Sequence, residues 1–168
     1  FSDSAQPGDW FNYSKQCAAI ARQEPAWPPE TKGAYNTINI GFILGEIVRH
    51  VSGKTIGTFI REEISAPLEA EYNIGLTSKE LDLVAPMHLN PENNFWAECA
   101  REGSNLNRAH SGRPDDPNLL NCIEIRKGEL PPFGGHGNAR GVARIYAMLA
   151  NNGEFDGVRL LKPDTVEH

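Results

Sequence analysis

The sequence is poor in cysteine and in positive charge, and it has no long apolar run. Among its 168 residues, 16 Lys and Arg stand against 22 Asp and Glu, which gives a net charge of −6. This balance argues against a nucleic-acid-binding face, which needs clustered Lys and Arg. A membrane-spanning helix needs roughly 20 consecutive apolar residues, and no stretch approaches that length. The chain also begins without a charged-then-apolar secretion leader.

The cysteines and histidines do not form a recognisable pattern of bonding or coordination. Cys17, Cys99 and Cys122 are odd in number and far apart, whereas a disulfide framework or a zinc site has dense or CxxC-like spacing. The five histidines do not pair with carboxylates or cysteines at metal-ligand spacing. We therefore expect reduced thiols, no metal and no cofactor. Reduced thiols favour a cytoplasmic location slightly, although the sequence leaves the localisation open.

Hydrophobic periodicity predicts a mainly α-helical chain with a few short strands. A first helix is predicted to begin at Asp9 as its N-cap and to stop before Pro25. A second helix is predicted to end at Gly53, and Thr55 is placed to cap a third that ends at Pro67. The apolar stripe of the second helix, which should be buried, consists of Ile40, Ile43, Leu44, Ile47, Val48 and Val51.

The second half of the chain predicts a short strand within residues 71–76, a helix near 93–101 and a polar surface loop over 103–118. Asn138 is placed to cap a helix, and Asp156-Gly157 to turn a small hairpin. The helix after Asn138 should bury Val142, Ile145, Tyr146 and Leu149. One more helix opens at Pro163 but has barely one turn before His168. We therefore expect residues 1–168 to be a single helical segment, incomplete at both ends.

Two motifs nearly match phosphate-binding patterns. Ser52-Gly53-Lys54-Thr55 resembles the tail of a P-loop, but the position of the first P-loop glycine holds Val48. A helix C-cap followed by an N-cap is the simpler interpretation. Gly135-His136-Gly137 precedes a helix and either cradles an anion or forms a tight turn, and we favour the turn. No GxSxG motif is present, so the nucleophile of an α/β-hydrolase is absent.

The stretch AWPPETKGAY carries the strongest chemical signal. Its prolines stiffen a loop that delivers Tyr35 to the start of the second helix, beside the polar residues Asn36 and Thr37. A tyrosine held there is placed to exchange a proton. Because a free phenol has a pKa near 10, a tyrosine base needs a neighbouring ammonium, and no lysine in this chain is an obvious partner. Alternatively, Tyr35 packs against its neighbours with its hydroxyl group satisfied.

Two blocks of sequence resemble the serine β-lactamase and penicillin-binding-protein family, especially the carboxylesterases related to class C β-lactamases. That family typically has a W-x-PGT-x-x-x-Y loop, then G-x-x-x-GEIV-x-x-x-(S/T)GK, then F-x-x-EEI-x-x-PL and IGL. The matching positions are Trp27, Pro29, Thr31, Tyr35, Gly41, 45–48, Gly53, Lys54, Phe59, 62–64, Pro67, Leu68 and 74–76. The second block, from Gly137 onwards, resembles the family's late helix and hairpin.

The resemblance implies an α+β fold in which this chain is mostly the helical region, and it implies acyl-enzyme chemistry. In the family, the serine of an S-x-x-K motif attacks a carbonyl, and the lysine and a tyrosine share the proton transfers. Tyr35 then carries the general acid–base role, and we expect Asn36 and Thr37 to bind substrate. The substrate is a small ester or amide, and the apolar inner face of the segment predicts self-association.

The chain departs from the family pattern at four places. No serine has a lysine three residues later, so the nucleophile and its lysine are missing. His110-Ser111-Gly112 matches the late K/H-(S/T)-G box in form, but it precedes the late helix and we reject it. Thr37 stands where β-lactamases have Asn in Y-x-N, which favours esters. Glu30 replaces the usual Gly of the PGT turn.

Two hypotheses therefore stay open. In the first, the chain is part of a serine esterase or β-lactamase-like hydrolase that supplies the catalytic tyrosine. In the second, it is a non-catalytic relative or a helical module with a binding or structural role. The chain alone lacks the S-x-x-K serine in either case, so unaided catalysis by the family mechanism is not expected.

Overall fold

A computed structural model describes residues 9, 11–36, 38–88, 90, 94–110, 116 and 118–167. In these residues the regular structure is mainly helical with a few short strands, so the predicted fold class is confirmed. The helices are α1 (Tyr13–Arg22), α2 (Asn39–Ser52), α3 (Ile56–Phe59), α4 (Phe95–Ala100), α5 (Asn105–Ala109), α6 (Ile123–Lys127), α7 (Ala139–Ala150) and α8 (Pro163–Glu167). The strands are β1 (Tyr72–Ile74), β2 (Gly135–Gly137), β3 (Glu154–Phe155) and β4 (Val158–Arg159).

Helix α1 begins later than predicted. Its N-cap is Asn12, whose side-chain oxygen accepts a hydrogen bond from the Lys15 backbone N–H at 3.0 Å. The Asp9 carboxylate pairs instead with the Lys15 ammonium at 2.8 Å. Aspartate and asparagine are about equally good N-caps, so local preference alone does not choose between these two positions. The helix ends at Arg22, ahead of Pro25 as predicted.

Helix α2 ends as predicted but buries a different face. Gly53 has φ +72° and donates its N–H to the Arg49 carbonyl, which is the left-handed C-terminal cap expected of glycine. The buried residues are Gly41, Phe42 and Gly45. The predicted burial of the apolar stripe is wrong, because Ile40, Ile43, Leu44, Ile47 and Val51 are 40–84% exposed. Gly41 leaves room for the backbone and ring of Pro132, and Gly45 leaves room for the Tyr13 hydroxyl, and these close contacts select the buried face.

Helix α3 opens with the predicted cap, since the Thr55 hydroxyl accepts from the Thr58 N–H at 3.3 Å. It continues as a π-helical stretch, Ile60–Ser65, before Pro67. Strand β1 then pairs antiparallel with β2, with Tyr72 opposite Gly137 and Ile74 opposite Gly135. The Gly-rich segment that was predicted to be a tight turn is therefore the second strand of this pair. The two strands lie about 60 residues apart in the sequence, and a run of glycines does not by itself indicate a strand that pairs over that distance.

Two apolar clusters form the interior. The first joins α1, α2 and α6, and its buried members are Ile38, Phe42, Leu119, Ile125 and Leu130. The second is built on α7, and its buried members are Leu68, Ala70 and Met148, with Ile145 and the β3–β4 hairpin packed against them. The hairpin turns at Asp156 and Gly157 as predicted, both with positive φ. The predicted burial of Val142, Tyr146 and Leu149 is wrong, because these side chains are 38%, 66% and 38% exposed. Ile145 is half-buried against the second cluster.

The polar stretch 103–118 is not entirely a loop. Helix α5 lies within it, capped by the Ser104 hydroxyl, which accepts from the Asn107 N–H at 3.0 Å. His110 follows this helix and is 6% exposed. The composition is typical of loops, but Ser104 supplies an N-cap that starts a short helix there.

Candidate active site

The loop between α1 and α2 is closed upon itself by local hydrogen bonds. The Trp27 indole N–H donates to the Lys32 carbonyl at 3.0 Å, and the Thr31 hydroxyl and N–H both donate to the Pro28 carbonyl. The Lys32 ammonium also lies 6.0 Å from the centre of the Trp27 ring, within reach of a cation–π contact. The prolines and these bonds give the loop a defined shape without a sheet or a core.

Glu30 lies at the tip of this loop with φ +67°. Residues other than glycine rarely adopt this left-handed conformation, because their Cβ approaches the following carbonyl. Glu30 stands where the resemblance puts the Gly of a PGT turn. The backbone conformation explains why glycine suits that position.

Tyr35 is at the end of the loop, directly before α2. Its side chain is 91% exposed. Within the described residues, the Tyr35 ring is therefore not packed against its neighbours, and its catalytic role stays a prediction. An exposed phenol at the end of a stiff loop is accessible to a substrate or to a partner group from outside.

The substrate-binding roles of the two neighbours of Tyr35 stay predictions. The side-chain oxygen of Asn36 accepts from the Ile40 N–H at 3.3 Å, so it satisfies one of the free N–H groups of the first turn of α2. Asn36 itself is exposed to solvent. Thr37 lies outside the described residues.

The face of α2 that is not buried borders an open groove against α1. The groove has a volume of about 1220 Å³, and its walls include Tyr13 and Cys17 from α1 and Ile43 and Ile47 from α2. Burial raises the pKa of both the Tyr13 hydroxyl and the Cys17 thiol. Neither group is therefore an anionic nucleophile at neutral pH. The groove is an apolar surface, and self-association through it stays a prediction.

His110 is held by contacts with residues of α4 and α5. Its ring packs edge-on against Phe95 with ring centres 5.4 Å apart, and its Nδ1 is 2.9 Å from the Leu106 carbonyl. Ser111 and Gly112, the other two residues of the apparent box, lie outside the described residues. His110 is thus a buried side chain with partners inside the fold, and the rejection of the motif stays a prediction.

Within the part of the chain that the structure describes, no group of three or more His, Cys, Asp or Glu side chains is arranged to hold a metal ion. Every helix in that part is too short or too polar to cross a lipid bilayer. The three cysteines are free thiols, of which Cys99 is buried.

Residues around Glu129 contact α3 and α2, and sequence reasoning missed these contacts. The Glu129 carboxylate accepts from the Thr55 hydroxyl at 2.9 Å and from the Gly57 N–H at 3.0 Å. The next residues, Leu130 to Pro132, pack on the first turns of α2. A lone glutamate before two prolines gives no sequence signal for a contact with residues more than 70 positions away.

Comparison with known proteins gives consistent matches. The family model described as Beta-lactamase matches residues 1–167. The chain is 27% identical over 148 residues to "Esterase/beta-lactamase LipL" of Mycobacterium tuberculosis, a match that covers 80% of this chain and 34% of that protein. A penicillin-binding protein homologue from Caulobacter crescentus superposes with a TM-score of 0.77 at 30% identity, over 99% of this chain and 44% of the homologue.

A family VIII carboxylesterase superposes with a TM-score of 0.80 at 29% identity, and the match covers 97% of this chain and 42% of the esterase. EstA from Arthrobacter nitroguajacolicus, with a TM-score of 0.72 at 24% identity, shares the fold. The chain thus spans less than half of the length of each of these relatives.

Proposed function

The chain belongs to the beta-lactamase family, and from this membership we propose that it supplies the catalytic tyrosine of a serine hydrolase that cleaves small esters. The observation that carries the proposal is Tyr35, a 91% exposed phenol at the end of a self-bonded, proline-rich loop and at the entrance of α2. The position matches the tyrosine of the family's Y-x-N region. The resemblance to LipL, an esterase/beta-lactamase, and to the family VIII carboxylesterase supports an ester substrate.

In the proposed reaction, a serine hydroxyl supplied from outside residues 1–168 attacks the ester carbonyl. The serine oxygen–carbon bond forms, the carbon–alkoxide bond breaks, and the serine proton passes through Tyr35 to the leaving alkoxide. Water then attacks the acyl-enzyme, releases the carboxylic acid and restores the serine. Tyr35 transfers protons in both halves of the reaction, and its exposure leaves room beside the phenol for a lysine ammonium that would stabilise the phenolate.

The first experiment replaces Tyr35 in the full-length protein that carries these residues. Tyr35→Phe removes the phenol oxygen but keeps the ring, so we expect hydrolysis of a short-chain p-nitrophenyl ester to fall by roughly 10²-fold or more. Tyr146→Phe is the matched control, because Tyr146 is also exposed, at 66%, but lies on α7. Equal turnover by Tyr35→Phe and the parent would remove Tyr35 from the mechanism.

A second experiment with the full-length protein compares an ester substrate with a β-lactam. Thr37 replaces the Asn of the β-lactamase pattern, so we expect kcat/KM for p-nitrophenyl butyrate to exceed that for nitrocefin. Faster turnover of nitrocefin would reverse the substrate assignment while it left Tyr35 in place. If neither compound is hydrolysed and the full-length protein has no S-x-x-K motif, the non-catalytic alternative replaces the enzymatic one.

A further inference from the structure

We propose that residues 129–132, which we call the brace, are a positioning element that fixes the entrance of α2 and thereby the place of Tyr35. This inference rests on the proposed function, since it assigns a role in the same reaction. The brace runs from the N-terminus of α3 to the first two turns of α2. It connects a firmly hydrogen-bonded part of the chain to the helix that follows Tyr35.

One end of the brace is anchored by a carboxylate. Glu129 accepts from the Thr55 hydroxyl at 2.9 Å and from the Gly57 N–H at 3.0 Å, so it satisfies a free N–H group at the start of α3. Glycine leaves the room for this contact at two positions. A Cβ at Gly57 would lie 2.8 Å from the Glu129 Cδ, and a Cβ at Gly75 would lie 3.0 Å from its Cγ.

The other end of the brace is wedged against α2. Leu130 is 1% exposed and belongs to the same core cluster as Ile38 and Phe42. A Cβ at Gly41 would lie 2.5 Å from the Pro132 nitrogen and 2.6 Å from its ring Cδ. Because the proline ring fixes φ and cannot swing aside, the backbone of α2 is held at a set distance from the brace.

The brace can fix the position of Tyr35 because few other contacts are described between the Tyr35 loop and the rest of the chain. The hydrogen bonds described for residues 24–36 join the loop to itself or to the first turn of α2, where Asn36 accepts from Ile40. Gly41 follows Tyr35 by six residues, and Ile38 follows it by three. A shift of the first turn of α2 would therefore move the phenol, and a displacement of about 1 Å is enough to lower a catalytic rate substantially.

A double-mutant cycle in the full-length protein tests the brace. Glu129→Ala removes the anchor, and we expect kcat for a p-nitrophenyl ester to fall roughly tenfold with KM changed by less than about twofold. Glu129→Gln keeps an oxygen for the Gly57 N–H and should recover most of kcat. Pro132→Ala is a smaller change at the other end of the brace, where it removes the proline ring that packs on Gly41. It should also lower kcat. Glu24→Ala and Pro163→Ala, both at exposed sites, are the matched controls.

The decisive measurement repeats Glu129→Ala in the Tyr35→Phe background. If the brace acts through Tyr35, the second substitution costs little or no further kcat. If the two losses multiply, or if neither brace variant changes kcat, the brace has no positioning role even though Tyr35 remains catalytic. If Tyr35→Phe alone is silent, the proposed function fails first and the positioning role fails with it.

Discussion

The Tyr35 loop and the segment from Arg61 to Glu80 are built in opposite ways. Residues 24–36 hold their shape through prolines and hydrogen bonds between near neighbours. The second segment is tied by contacts to distant residues: Arg61 donates to Glu80 at 2.7 Å, and the Arg144 side chain donates to the Leu68 carbonyl at 2.6 Å. Contacts between distant residues form only in the folded chain, so substitutions in this segment should change the free energy of unfolding. The loop is free to carry chemistry at little cost to the fold.

The largest effect on the free energy of unfolding is expected in the segment from Arg61 to Glu80, at the buried residue Leu68. Leu68 is 1% exposed in the cluster formed with Ala70 and Met148. Leu68→Ala leaves a cavity there and should lower the free energy of unfolding by about 3 kcal/mol, measured by urea denaturation. Leu83→Ala makes the same change at a residue that is 83% exposed and should cost less than about 0.5 kcal/mol. Equal losses at the two positions would contradict the assignment of Leu68 to the core.

The next largest effect is expected at Glu80, the carboxylate at the end of the same segment. Glu80 accepts from Arg61, from the Asn73 amide and from both the N–H and the hydroxyl of Thr77. The hydrogen bonds from Arg61, and then those from Thr77, lower the pKa of Glu80 to about 2. A carboxylate that is held in its charged form by so many donors stabilises the fold only while it stays ionised.

Glu80→Gln should therefore lower the free energy of unfolding at pH 7 by about 1–2 kcal/mol, allowing for solvent screening of the partly exposed pair. The folded pKa lies below the ordinary value of 4.5, so this stabilisation is complete above pH 4.5 and is lost as the pH falls towards about 2. Denaturation curves of both proteins should converge over that range. Glu98→Gln, which removes an exposed pair with Arg101, is the control and should change little. A pH-independent gap would exclude ionisation of Glu80 as the cause.

Local features of the fold could be predicted from the sequence, and long-range ones could not. Thr55, Gly53 and Asn138 cap helices where their residue types favour it, because a cap depends on the backbone within a few positions. The pairing of Tyr72–Ile74 with Gly135–Gly137 depends on chain far away. The buried face of α2 is likewise set by prolines 90 residues later, so its stripe of large apolar residues gave the wrong side.

The candidate site divides along the same line. Tyr35 was identified by its loop and by family resemblance, since the motif is contiguous in sequence. Glu129 and Pro132 contact α3 and α2 from another part of the chain, and no spacing rule predicts these contacts. Asn36 is predicted to bind substrate, and its side-chain oxygen also accepts from the Ile40 N–H. A side chain at a helix entrance has the backbone as a competing partner, and sequence alone does not choose between them.

The smallest effect is expected in the loop, at Glu30. Its φ of +67° costs a residue with a Cβ more than it costs glycine. Glu30→Gly should raise the free energy of unfolding by about 0.5 kcal/mol, since relief of the backbone exceeds the extra entropy of the unfolded chain. Glu24→Gly, on the same loop but without a positive φ, should lower it by a similar amount. If both substitutions destabilise equally in thermal melts, side-chain contacts of Glu30 hold the loop, and its shape is not set by prolines and local backbone bonds alone.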